Sequence, residues 1–160
     1  MFTIFSLRKS REISYRQRIM LHELISAYAD TAAGSWLNSY FWRGYKIKWC
    51  PAMNCSGGDM GAFLPWIGKK VYLMPDAANS DTWMIGIAPT LVHELRHVWQ
   101  YHRHPVLYVL CCLPGLRQIT LERDAWAATK PAEDFFSRLD AIRCAAKFNL
   151  TTKTGGKQNV

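Results

Sequence analysis

His93-Glu94-Leu95-Arg96-His97 is the stretch on which the reading of this chain turns. Histidines four residues apart on a helix stand one above the other, so both imidazoles can reach a single ion. Glu94 projects beside them, where a carboxylate can take a proton from a metal-bound water. The competing reading is an ordinary solvated face that happens to carry these residues. The flanks favour a packed helix over residues 89–103: Pro89 suits a first turn, where no hydrogen bond is lost, and Pro105 stops the run. Leu91, Leu95, Val98 and Trp99 are placed to anchor it in a core beside the histidine face. A second start, His22-Glu23-Leu24-Ile25-Ser26, lacks the returning histidine and is a decoy.

A third ligand has to come from elsewhere. In a metzincin, Gly and a third His follow the second His at fixed spacing, but those positions here are Gln100 and Arg103. His102 and His104 each miss by one. Glu122 is the better candidate. On a helix over 117–129 it shares a face with Ile119, Ala125, Trp126 and Thr129, and an acid in an apolar stripe needs a cationic partner. A capping or surface glutamate is the alternative.

Taken together, His93-Glu94-Leu95-x-His97-Val98-x-Gln100 and the later Glu122-x-x-Ala125 resemble the gluzincin zinc metallopeptidases. The nearest likeness is to small minimal domains with a HELxHVxQ helix and a downstream ExxAD helix. Lys70-Val71-Tyr72-Leu73-Met74-Pro75 is similar to the short strand that leads into the active helix of such domains. The likeness spans about residues 68–130 and rests on about six positions. It implies His93, His97 and Glu122 as zinc ligands, Glu94 as general base and acid, and a peptide or protein substrate. Trp126 stands where the pattern has an aspartate that steadies a zinc-bound imidazole from behind. That role is either vacant or passes to a residue such as Asp124. An extended substrate is expected along the sheet edge containing Val71–Met74. Tyr72, Tyr101, His102 and His104 are unranked candidates for an oxyanion donor.

The rest of the chain fits one domain over 1–150 with a loose tail over 151–160. At 160 residues and 49% hydrophobic there is enough chain for a single core. The expected elements begin with a helix over 12–33, with Leu21, Leu24, Ile25, Tyr28 and Ala32 on its apolar side. An alternating strand follows over 45–49, then a turn at 55–59. A hairpin of 62–66 with 70–74 and a loop at 76–82 lead to the motif helices. Pro131 starts a last helix carrying Phe135, Leu139, Ile142 and Phe148. The sum is an α+β, zincin-like layout: a small sheet beside an active helix, with a helical C-terminal half.

The uncharged run 105–114 is too short to span a bilayer and reads as a buried connector; a cleft lip or a contact surface stays open. Met1–Phe5 is apolar, but its basic residues come after it, the wrong order for a secretory signal. With five cysteines, an odd number, this gives an expectation of reduced thiols and a cytoplasmic setting. Cys50 and Cys55 form a weak pair with no matching second pair. The net charge is +8, and residues 1–50 hold eight basic against three acidic side chains. Solvated faces account for this, with an acidic partner as the alternative. Nucleic acid is disfavoured because no recognised binding module accompanies the charge.

Two further readings stay open. One is a catalytically silent zincin-like scaffold serving as a binding or assembly module, motivated by Trp126 and the apolar 105–114 run. The other is a basic nucleic-acid-associated protein with a coincidental motif.

Overall fold

Ser14 opens the first helix. Its hydroxyl accepts from Gln17 N at 3.2 Å while Gln17 Oε1 accepts from Ser14 N at 3.0 Å, a complete capping box. The computed structural model describes residues 10–38, 42, 44–50, 61–63, 65, 68–73, 83–111 and 118–154, with backbone alone at 38, 83, 84, 118, 119 and 146–154. The expected turn at 55–59, the loop at 76–82, Cys55, Cys112 and residues 155–160 lie outside the described residues.

Helix α1 spans Tyr15–Ala29, shorter at both ends than the pattern suggests. At its start, Arg11–Glu12 leaves the helix to form a short strand β1. At its end, Thr31 Oγ1 donates to Tyr28 O at 2.7 Å and the chain wraps back through Gly34. Leu21, Ile25 and Tyr28 are buried as expected, whereas Ala32 lies beyond the helix and is exposed.

Four strands form the sheet in the order β1-β2-β4-β3, with β2 at Lys46–Trp49, β3 at Gly61–Phe63 and β4 at Lys70–Leu73. The expected hairpin exists in antiparallel register, Ala62 opposite Tyr72 and Phe63 opposite Val71. Gly68 turns the chain into β4 at φ 87°, a conformation that favours glycine. The pairing of β2 with β4 is parallel, Lys46 opposite Lys70. This corrects the substrate edge: β4 lies between β2 and β3 with Val71, Tyr72 and Leu73 all buried, so it has no free edge to offer. Among the described strands the edges are β1 and β3.

The motif helix α2 spans Trp83–Arg103, six residues longer at its start than expected. Pro89 therefore sits in the second turn and removes a helical hydrogen bond. Burial of Ile85, Ile87 and Ala88 against the core offsets that loss. After His104 the chain re-enters a helix, α3, over Pro105–Cys111. Only Tyr108 and Cys111 of this segment face inward, so the connector is largely not buried: Val106, Leu107, Val109 and Leu110 are 73, 55, 52 and 54% exposed.

A single turn with i→i+5 hydrogen bonding over Gln118–Glu122 leads into α4, which runs from Arg123 to Thr154. Pro131 does not start a new helix but lies within this one, and the helix also takes in the first four residues of the expected tail. Ala125, Thr129, Ala132 and Phe136 repeat at 4-3-4 spacing and are the buried face. Ile142 is exposed, contrary to its expected core role. The whole is an α+β fold in which α2 is the central element, lying against the sheet, α1 and α4. Among the described residues no helix is long and apolar enough to cross a membrane.

Candidate metal centre

His93, Glu94 and His97 are all buried on the part of α2 that faces α4. Glu122 closes the i→i+5 turn ahead of α4, and this local widening is a common device where a helix must present a functional side chain. Its Oε2 lies 3.1 Å from His93 Nε2 and 3.4 Å from His97 Nε2. Among the described residues, these three are the group of histidine, cysteine and acidic side chains whose ligand atoms converge, all within 4.8 Å of one another.

The tautomers follow from what lies behind the rings. Gln100 Nε2 donates to Leu121 O at 3.0 Å and to Asp124 Oδ2 at 2.7 Å. Its Oε1 is left to accept from His97 Nδ1 at 2.8 Å. Thr129 Oγ1 donates to Ala125 O at 2.8 Å, so its lone pair accepts from His93 Nδ1 at 3.3 Å. Both imidazoles therefore carry their proton on Nδ1 and turn a bare Nε2 lone pair toward the Glu122 carboxylate.

A ring nitrogen and a carboxylate oxygen that converge in this way are held together by a proton or a cation between them, as at 3.1 Å between His93 and Glu122. The buried His97 Nε2 makes no hydrogen bond. Glu94, only 4% exposed, adds a second negative charge close enough to act on His97. Burial alone would push the His97 imidazolium down. The Glu122 carboxylate 3.4 Å from Nε2, the charge of Glu94 and the hydrogen bond to Gln100 outweigh that, and its pKa is raised. The cluster thus calls for positive charge, and a divalent ion would neutralise two carboxylates beside two neutral imidazoles. The separations of Glu122 Oε2 from the two histidines, 3.1 and 3.4 Å, also fit. Zinc bonds of about 2.0–2.1 Å at tetrahedral angles put neighbouring ligand atoms about 3.3 Å apart.

The position of Trp126 is resolved differently from the expectation. It is 53% exposed and lays its ring 4.7 Å from that of His93 at 59°, so it covers one flank of the cluster. Other groups stand behind the two rings: Thr129 meets His93 and Gln100 meets His97. Asp124 acts one step further back. The Arg96 guanidinium grips it through two bonds of 2.7 and 2.9 Å, holds its carboxyl below the usual range, and so steadies the partner of Gln100. Arg96 is itself seated over the Trp99 ring at 4.1 Å.

Sequence reading left Gln100 and Thr129 without roles, although both carried a signal. Gln100 is one helical turn beyond His97, and Thr129 lies seven residues, or two turns, beyond Glu122. The oxyanion candidates do not gather at the cluster. Tyr72 is buried in the central strand, Tyr101 packs on Phe63 and Tyr108, and His104 is exposed. His102 Nε2 is paired with Tyr45 Oη at 2.9 Å. Tyr108 comes closer, its ring centroid 6.3 Å from that of His97. In the decoy, His22 stays local, beside Ser26 and Trp42.

The chain matches no family model, no curated protein and no solved structure.

Proposed function

We propose that this chain is a zinc-dependent hydrolase that cleaves peptide bonds, in the manner of the gluzincins its motifs resemble. The observation that carries the reading is the convergence of His93 Nε2, His97 Nε2 and Glu122 Oε2 with both Nδ1 protons committed elsewhere. When bound there, zinc supplies a Lewis acid for a carbonyl oxygen and lowers the pKa of a water toward about 7. Glu94, next to the ligand His93 and shielded from solvent, accepts the proton of the attacking water and returns it to the departing amine. The i→i+5 turn and the buried face of α4 hold Glu122 against the two histidines, while Gln100 and Thr129 keep the rings from rotating. Edge strand β3, which packs against α2 and has one side unpaired by any described strand, is the edge along which an extended substrate would add.

Metal analysis and a peptide library test the reading together. Purified protein should carry one zinc per chain, and His93→Ala/His97→Ala should carry none; stoichiometric zinc in that double variant would overturn the ligand set. Glu94→Gln should keep its metal and lose turnover by about 10²–10⁴-fold. Equal cleavage by Glu94→Gln would refute the mechanism. Zinc binding with no cleavage by the parent chain would favour the silent binding-module reading.

A further inference from the structure

The outward face of α3 is a continuous aliphatic surface. Val106, Leu107, Val109 and Leu110 are each more than half exposed, and the seven residues Pro105–Cys111 include no charged side chain. Such a cluster in water marks an interaction surface. Its chemistry narrows the partner. Protein-binding hot spots are built on Trp, Tyr and Arg, while Leu and Val are under-represented in them. Here the inward Tyr108 is the only aromatic ring of the helix, and it is spent on packing against Tyr101 and Phe63.

Cations gather at the same end of the fold. Arg103 lies two residues before Pro105, at the end of α2, and is exposed. His102 bonds Tyr45, Tyr45 leads into β2, and Lys46 N donates to Lys69 O at 2.9 Å. Phe63, which touches Tyr108, stands opposite Val71, the residue after Lys70. These links bring Lys69, Lys70 and Arg103 to the end from which α3 projects. Glu12, opposite Lys48 in the sheet, is engaged by Lys46 at 3.2 Å. The chain as a whole carries +8.

We infer that α3 is a membrane-surface anchor: its aliphatic face inserts among the acyl chains of an anionic leaflet while Arg103, Lys69 and Lys70 meet the headgroups. It lies on the bilayer rather than across it, consistent with a helix of seven residues. Because α3 follows α2 after one residue, and Tyr108 ring-packs near His97, docking sets the His93–His97–Glu122 cluster close to the lipid surface. The inference does not depend on the cluster holding zinc.

Flotation of the full chain with vesicles tests it. Protein should float with vesicles of phosphatidylcholine containing phosphatidylserine, and much less with phosphatidylcholine alone. Lys69→Gln/Lys70→Gln/Arg103→Gln should weaken partition on the order of a hundredfold, since each surface cation contributes about fivefold. Leu107→Gln/Leu110→Gln should weaken it at least about tenfold with a little-changed melting curve, because both residues are more than half exposed. Val109→Trp should give a blue-shifted indole emission on adding anionic vesicles, a readout that survives even if the double variant folds poorly. Failure of the parent chain to float, or unchanged flotation of a folded Leu107→Gln/Leu110→Gln, overturns the inference. So would a parent dimer, seen by sedimentation velocity, that this double variant dissolves without any vesicle binding; a second copy would then cover the face.

Discussion

At residue scale, Thr129 and Gln100 stand behind the two imidazoles, the place that the resemblance gives to an aspartate. Each accepts the Nδ1 proton of one histidine, so each fixes a tautomer and a ring plane. Thr129→Val keeps shape and removes that acceptor. It should leave the fold intact and weaken zinc binding by about 10–100-fold, as measured by competition with a chromophoric chelator. Unchanged affinity would show that the contact with Thr129 does not steady His93. Trp126→Asp should not tighten zinc binding, since neither imidazole has an Nδ1 proton left to give a new carboxylate. Its stability loss should fall well below the about 3–5 kcal/mol of a fully buried aromatic, because the ring is 53% exposed. Tighter binding per folded molecule in that variant would return Trp126's position to the orienting role.

At the scale of elements, two glycines separate packing from propensity. Gly86 lies in α2 with open space where a Cβ would go, and Gly→Ala in a helix interior gains about 0.5–1 kcal/mol. Gly86→Ala should therefore raise the denaturation midpoint. Gly34 is the opposite case: a Cβ there would stand 2.1 Å from Tyr28 O, where the chain wraps back onto the end of α1. Gly34→Ala should lose about 1–3 kcal/mol as backbone moves to make room. Chemical denaturation of the pair checks both signs at once, and a stabilising Gly34→Ala would mean that the wrap is not as tight as described. The helices themselves were legible where periodicity was strong, as at Leu91, Leu95 and Val98, all buried. Boundaries were less so. Pro89 and Pro131 look like helix starts from local rules, yet each lies inside a helix because the apolar residues before it have a buried surface to join.

For the molecule as a whole, the candidate centre is a clasp. Its ligands come from α2 and from the turn before α4, 29 residues apart in sequence between His93 and Glu122, so a bound ion adds a further tie to elements already joined by packing and by the bonds of Arg96 and Gln100 to Asp124. Zinc at a hundredfold over its Kd should add about 2.7 kcal/mol. For a chain of this size that raises Tm by about 5–10 °C over the protein stripped with chelator. His93→Ala/His97→Ala should melt at one temperature with zinc or chelator. A zinc-dependent shift that persists in that variant would place the ion elsewhere.

The α+β class and the motif helix were readable from the sequence, and helical spacing put His93 and His97 on one face, while Glu122 was singled out as an acid in an apolar stripe. What tertiary structure alone decided were the relations between elements. The parallel pairing of β2 with β4 puts β4 inside the sheet and leaves β3 at the edge, and no local pattern specifies which strand becomes a neighbour. Likewise 105–111 has the composition of a core segment but turns four of its aliphatic side chains to solvent, since Tyr108 and Cys111 alone find room against the core. The grip of Gln100 on Asp124 and Leu121 spans 24 and 21 residues, and only packing α2 on α4 creates it. Short-range periodicity is written in the chain, whereas partners far apart in sequence are selected by how the buried faces fit.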